Sequence, residues 1–441
     1  MRKLILDSLV VGMALFAMFF GAGNIIFPPY IGLGAGADWY VGFLGYFISD
    51  IGLAVLTIFA ILRSDSVSRN EGLMYRLGGV PATLMMGAIV LCIGPLLAVP
   101  RTAATAFQIG MAPYTGDGRM ASAVFTAVFF LVVLAFSIRE SKMVDIVGKY
   151  LTPIKFFGLL LIIGGGILFP IGPINPVSRI ENVPLTGVIA GYQTMDVLAA
   201  LMFGVIIVRA LKAKGHDSPK AMTLSVVLAS IIASVLLLIV YAGLCYLGAT
   251  ASTLYPMDVD RGHLVVLITQ GIFGAHSVIL LGVIVSVSCL ATAIALCSTT
   301  GSFFSRLSKG RLSYNMVVVA VCVFSAVVAN FGLTSIINFA VPILTVIYPG
   351  ALVVVAMTFL DRHVYNDNIV KFAAAGAMLV SLLEVLNGFG APFGFVQGLP
   401  FSSLGFGWVI PAILCANLGI FVKPRCPGAA ELRETTLSAN S

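Results

Sequence analysis

Charge is what this sequence has least of. Aspartate, glutamate, lysine and arginine make up 10% of its 441 residues, against roughly 25% in soluble domains. The chain is 59% hydrophobic, with a mean hydropathy of +1.07, which excludes an ordinary soluble domain and points to a polytopic membrane protein. Histidine is rare too. His216, His263, His276 and His363 stand in or beside loops, with no HxxH or HExxH spacing, so no metalloenzyme is suggested. No GxxxxGK[ST] phosphate loop, no GxSxG elbow and no long soluble segment able to hydrolyse ATP occurs. Six of the seven cysteines (Cys92, Cys245, Cys289, Cys297, Cys322, Cys415) fall within apolar segments without CxxC pairing, as small core residues do.

What is present is a series of apolar runs. A window of about 19 residues predicts twelve, at 8–34, 40–62, 82–107, 120–138, 146–170, 187–208, 221–247, 276–302, 314–331, 335–359, 370–388 and 405–422. The first follows a short Met1-Arg2-Lys3 flank, is longer than a signal-peptide core, and leads to no small-residue cleavage site, so it reads as a retained span. The net charge of +7 belongs to orientation, not to nucleic acid. Of 25 basic residues, Arg119, Arg179 and Arg261 fall in outer loops and Arg101 and Lys155 within segments, leaving twenty on the inner flanks when both termini are cytoplasmic. The stretch 262–275 reads as an external helix.

The first segment contains Phe19-Phe20-Gly21-Ala22-Gly23-Asn24-Ile25-Ile26-Phe27-Pro28-Pro29, a poor place for unbroken helix. A broken helix at membrane depth is tolerated only when buried in protein or lining a cavity. Segment six carries Gln193-Thr194-Met195-Asp196 and runs on to Gly204, and Asp196 costs roughly 2.5–3.5 kcal/mol in a span unless paired or hydrated. A carboxylate snorkelling from a helix end is the structural alternative. The two interruptions lie five segments apart, an odd offset, so equivalent halves would be inverted, the arrangement of a transporter binding site. A half-helix N-terminus suits a carboxylate, and freed carbonyls with the Asn24 oxygen suit a cation or an ammonium. An amino acid offers both charges. Its aliphatic side chain would face Phe19, Phe20, Met195, Ala199 and Phe203.

These residues resemble a known family. GAGNIIFPP from Gly21, GPLLAVPRTA from Gly94, GYQTMD ending at Asp196, CLATA from Cys289 and VPILTVIYP from Val341 are similar to the bacterial branched-chain amino acid carriers, the BrnQ or LIVCS family of the amino acid, polyamine and organocation superfamily. The resemblance implies an all-α fold of twelve transmembrane helices, a LeuT-like five-plus-five inverted repeat with two peripheral helices, helices one and six being broken. It divides one domain, 1–441, into repeats at 1–170 and 187–359, peripheral helices at 370–422 and a cytoplasmic tail at 423–441. It implies secondary uptake of leucine, isoleucine and valine across the bacterial inner membrane by alternating access, driven by sodium or protons, without a cofactor or a required protein partner.

On that resemblance Gly21, Gly23, Asn24, Thr194, Met195, Asp196, Ala199 and Phe203 line the substrate site. A sodium ion would take carbonyls of Ala17 and Phe20 and be completed by Cys289 and Thr292, although Ala293 stands where a second hydroxyl belongs. Ala295, Ser298 and Thr299 share one helical face nearer the cytoplasmic end. Lys155 resembles the lysine whose ammonium takes that cation position in proton-coupled relatives. Its alternatives are snorkelling or a structural ion pair. Arg101 reads as a gate, a partner of Asp196, or an interfacial anchor. Tyr348, between Pro342 and Pro349, reads as a gate or as part of a kink, and Glu384 sits in a peripheral helix. Two other functions use the same pocket: an amino-acid-gated channel or sensor, and an intramembrane enzyme with Asp196 catalytic, against which the lack of a second carboxylate at catalytic spacing counts.

Overall fold

The computed structural model describes residues 2–64, 72–116, 118–138, 152–216, 218–360 and 366–422. The expected start of segment five at 146–151, the tail at 423–441, and basic flank residues Arg69, Arg139, Lys142, Lys149, Arg362, Lys423, Arg425 and Arg433 lie outside them. Among the described residues the structure is helical without strands. In chain order the helices are α1 (Arg2–Phe19), α2 (Ala22–Ala35), α3 (Trp39–Phe47), α4 (Leu53–Arg63), α5 (Gly79–Leu91), α6 (Ala98–Gly110), α7 (Ala112–Thr115), α8 (Arg119–Ser137) and α9 (Thr152–Leu168). They continue as α10 (Val183–Thr194), α11 (Asp196–Ala213), α12 (Pro219–Thr250), α13 (Arg261–Phe273), α14 (Ser277–Leu307), α15 (Tyr314–Ala329), α16 (Leu333–Phe359), α17 (Asp367–Gly388) and α18 (Val409–Ile420).

Seven described helical stretches are long and apolar enough to cross a bilayer, or eight when α10 and α11, bent by 45°, count as one. The apolar helices α9, α15 and α18 are shorter than that test requires. The stretch expected as an external helix forms α13, whose first amides are capped by the Asp260 carboxylate, with Gly262 N at 2.8 Å and His263 N at 3.2 Å.

The helices gather into two compact units, Met1–Val55 with Val90–Ala340, and Leu56–Ile89 with Val341–Ser441. In the first unit α1 and α2 pack on α12. Small residues let the backbones touch: a Cβ on Gly32 would collide with the Cys245 carbonyl, and one on Gly248 with that of Pro29. The α6 and α14 helices pack together at Gly110 and Gly282, where a Cβ on Gly282 would stand 2.8 Å from the Gly110 Cα. A π-helical turn interrupts one helical run at Ile48–Gly52, and a kink with non-helical backbone at Gly94, next to Pro95, interrupts another within Cys92–Leu96. In the second unit α17 packs on α18, and the Arg76 guanidinium donates to the Met357 carbonyl at 3.0 Å and lies 3.5 Å from Asp367.

Both departures from helix are narrower than the sequence predicts. Only Phe20 and Gly21 leave the helix between α1 and α2. Gly23, Asn24, Pro28 and Pro29 are helical and buried. The two prolines withhold amides from the Asn24 and Ile25 carbonyls, and close packing on α12 holds the helix nonetheless. In the second place only Met195 departs, with φ 72° and ψ 15°, and Asp196 to Gly204 is helical. The left-handed region is uncommon for a residue with a Cβ. One such residue is enough to turn the chain by 45°.

Candidate functional site

The two departures meet around one small cavity in the first unit. Gly21, Asn24, Arg101, Thr194, Met195, Asp196, Ala199, Phe203 and Thr292 all line it, with Met18, Phe19, Ala22 and Leu296 among the others. Its free volume is about 20 Å³, room for a water molecule and too little for an amino acid. Phe19 and Phe203 form an apolar side, their ring centroids 5.6 Å apart. Gly23, expected to line it, does not, and a Cβ there would stand 3.1 Å from Arg101 Nη2 and 3.2 Å from the Phe27 ring.

Each departure leaves carbonyls without helical partners, and a buried cation meets each set. At the end of α1, Lys155 Nζ donates to the carbonyls of Ala17 at 2.8 Å and Phe20 at 3.0 Å. Thr292 Oγ1 donates to the Met18 carbonyl at 3.1 Å. Lys155 has no exposed surface and lies 5.1 and 5.3 Å from the ring centroids of Phe16 and Phe20. At the end of α10, Arg101 Nη1 donates to the Gln193 carbonyl at 2.6 Å and Nη2 to the Thr194 carbonyl at 2.8 Å. A cation at a helix C-terminus complements the macrodipole as well as the carbonyls.

These contacts revise three expectations. The Ala17 and Phe20 carbonyls, expected on sodium, face the Lys155 ammonium, and Thr292 is turned to Met18. The four groups therefore do not fit a sodium ion while Lys155 holds this position. Cys289, the other residue expected at that position, is fully buried close to Lys155 and lies outside the cavity lining. Arg101 is neither an interfacial anchor nor an ion-pair partner of Asp196, because at 5% exposure its guanidinium is spent on the carbonyl end of α10. Its Nε, buried at the cavity, makes no hydrogen bond. Of the hydroxyls expected further along α14, Thr299 bonds its own helix, to the Ala295 carbonyl at 2.8 Å. Tyr348 and Glu384 belong to the second unit, where Tyr348 is buried.

The site holds one more acid than the sequence reading found. Asp50, within the π-helical turn Ile48–Gly52, is fully buried. Its Oδ1 accepts Thr194 Oγ1 at 2.6 Å and its Oδ2 accepts Asn24 Nδ2 at 3.3 Å. The same Asn24 nitrogen donates to Asp196 Oδ2 at 2.9 Å and touches the Tyr241 hydroxyl. The signal was available: Asp50 is an acid within a predicted span, the rule that singled out Asp196. Tyr241, 217 positions from Asn24, gave no such signal.

Beside α2, Arg261 at the start of α13 lies 5.2 Å from the Phe27 ring centroid and 4.9 Å from that of Tyr30. Tyr30 donates to the Met257 carbonyl at 2.6 Å. Burial lowers the Arg261 pKa from its ordinary value.

A family model described as branched-chain amino acid transport protein matches residues 5–425. The branched-chain amino acid permease BraB of Bacillus subtilis is 37% identical over 95% of this chain and 96% of its own length. The branched-chain amino acid permease BrnQ of Salmonella typhimurium is 34% identical over 98% of each. Among solved structures, the nucleobase-cation-symport-1 transporter Mhp1 in a closed conformation with bromovinylhydantoin bound superposes with a TM-score of 0.59 at 14% identity, over 94% of this chain and 91% of that one. A Na+-coupled sialic acid symporter in its outward-open state gives 0.60 at 12% identity, over 95% and 91%. At such identities the likeness is one of fold.

Proposed function

Because this chain belongs to the branched-chain amino acid transport protein family, a multi-pass membrane family of permeases rather than enzymes, we propose that it is a cation-coupled symporter importing leucine, isoleucine and valine by alternating access. In this reading it has twelve spans, with α1/α2 and α10/α11 as the broken first and sixth, and both termini in the cytoplasm of a bacterial inner membrane. The observation that carries the reading is the polarity of the cavity. Arg101, with its unpartnered Nε, lies against the first turn of α2, whose N-terminal amides favour an anion, and forms one polar corner of the lining, while Asp196 forms another. A substrate carboxylate belongs at the first corner, its ammonium at Asp196, and its branched side chain against Phe19, Met195, Ala199 and Phe203.

The small volume supports alternating access, since the cavity must widen to take a substrate. Lys155 stands where a coupling ion would otherwise hold the end of α1 to its neighbours, so release of its two carbonyls is a natural part of that opening. Gradient-driven uptake and counterflow of leucine in proteoliposomes test the reading. Accumulation against a gradient is expected, whereas leucine-gated current without accumulation would replace it with a channel.

A further inference from the structure

The second unit holds a cavity that transport, as read above, leaves unused. It lies between α5, α16 and α17 and has a volume of about 540 Å³, against about 20 Å³ at the helix breaks. Leu84 and Met85 of α5, Ile347 of α16, and Phe372 and Met378 of α17 line it, and every other lining residue is apolar except Lys371. Met85 and Met378 close it toward α16, where a Cβ on Gly350 would stand 3.2 Å from the one and 2.7 Å from the other. Leu84 and Phe372, 67% and 38% exposed, leave the other side open.

Both α5 and α17 belong to helical stretches long and apolar enough to cross a bilayer, so lipid hydrocarbon borders that open side. An empty space of this size forfeits dispersion contacts, and its volume falls within the range of about 300–1,000 Å³ that small-ligand sites occupy. Apolar walls do not choose among lipids, because every tail is as apolar as leucine. The choice falls to Lys371.

The Lys371 ammonium stands at the end of the cavity next to the starts of α5 and α17. It lies over Gly78, where φ is 69° and a Cβ would stand 3.3 Å from Nζ. Its hydrogen bond goes to a neutral group, Asn368 Oδ1 at 3.3 Å, and among the described residues no carboxylate lies within ion-pair distance of it. Asp367, the nearest acid in sequence, faces Arg76 at 3.5 Å instead. From Lys371 to Met378 the lining then runs along α17 for about 10 Å at 1.5 Å per residue. One cation followed by an apolar wall matches an anionic headgroup followed by a tail.

On the twelve-span reading this end is the cytoplasmic one, and basic pockets between spans on that side take anionic lipid headgroups. We propose that the cavity binds one anionic phospholipid of the cytoplasmic leaflet, with its phosphate on Lys371 and an acyl chain between α5 and α17. The inference goes beyond the transport reading and rests on it only for the choice of leaflet.

Photocrosslinking of the full-length protein in phosphatidylcholine nanodiscs tests it, with a trace of either phosphatidylglycerol or phosphatidylcholine carrying the same diazirine-bearing tail. Label at Leu84, Met85 and Met378 is normalised to label at exposed Val323 and Val327 of α15, which corrects for the general pull of the basic inner flanks. Phosphatidylglycerol should then exceed phosphatidylcholine about fivefold, the worth of one lysine against anionic lipid. Lys371→Gln should abolish the excess and Lys371→Arg should keep it, whereas Ala375→Trp, which fills the cavity, should remove label from either lipid. Lys371 is partly exposed, so its two variants decide the matter if Ala375→Trp does not fold. Equal label from the two lipids, or an excess unchanged in Lys371→Gln, would overturn the inference. So would a cavity that neither lipid labels, the result expected if a second copy of the chain covered it. Leucine counterflow of the same proteins in proteoliposomes reports on transport separately. A Lys371-dependent excess without counterflow would keep the lipid site and remove the transport reading, and counterflow without the excess would do the reverse.

Discussion

The ends of α1 and α10 face the same problem and solve it differently. Both stop inside the buried interior of the first unit and expose carbonyls, and both are met by one buried cation from another helix. At α10 the partner is Arg101, whose planar guanidinium takes two carbonyls at once and keeps its charge. At α1 the partner is Lys155, a compact ammonium on a flexible stem, supported by the Thr292 hydroxyl. Arginine suits a fixed joint. Lysine suits one that must let go, since it is a single point charge that can withdraw or lose its proton. The difference assigns the permanent joint to α10/α11 and the exchangeable one to α1/α2.

Substitutions can break that contrast, and the largest effect is expected at Arg101. Arg101→Gln removes charge-assisted bonds worth about 1.5–3 kcal/mol each, so leucine uptake should fall by roughly a hundredfold or more. Arg101→Lys should do little better, because a point charge does not reproduce the fork. Recovery of uptake by lysine would contradict the fixed-joint reading. Next is Lys155→Met, which strands two carbonyls at about 1–3 kcal/mol apiece. Uptake should drop at least tenfold, and measuring it under a sodium gradient alone and then a proton gradient alone shows which driving force is lost.

Gly21→Ala sharpens the comparison from the backbone side. Its Cβ would stand 2.9 Å from Thr292 Oγ1, pushing away the hydroxyl that steadies α1, and overpacking of this kind costs about 1–3 kcal/mol. Gly21→Ala with Thr292→Ala should transport better than Gly21→Ala alone. An additive loss would show that the contact is unimportant. The smallest effect is expected from Thr292→Ala alone, one neutral hydrogen bond worth about 1 kcal/mol, read as a severalfold change in uptake.

Much of this site was legible in the sequence. Gly21 and Asp196 announced breaks because an unbroken span explains neither, and Lys155 together with the Ala17 and Phe20 carbonyls followed from the family resemblance. The extent of each break was not legible. Asn24, Pro28 and Pro29 disfavour helix locally, yet burial of α2 against α12 through Gly32 and Gly248 holds them in one. Met195 showed nothing of its left-handed backbone, which tertiary contacts on α10 and α11 impose. The partners of Arg101 lie 92 and 93 residues away, beyond any local pattern. Asp50 is an acid within an apolar run, as Asp196 is, but its place beside Asn24 and Thr194 comes from packing between helices 26 and 144 residues apart in sequence.

The account turns on a cavity that reads both charges of an amino acid, and competition binding tests it most directly. Displacement of radiolabelled leucine should be efficient with valine and isoleucine. It should be poor with 3-methylbutylamine, which lacks the carboxylate, and with 4-methylpentanoate, which lacks the ammonium. Asp196→Asn should abolish leucine binding. Undiminished leucine binding in Asp196→Asn, or full displacement by either singly charged analogue, would contradict the account.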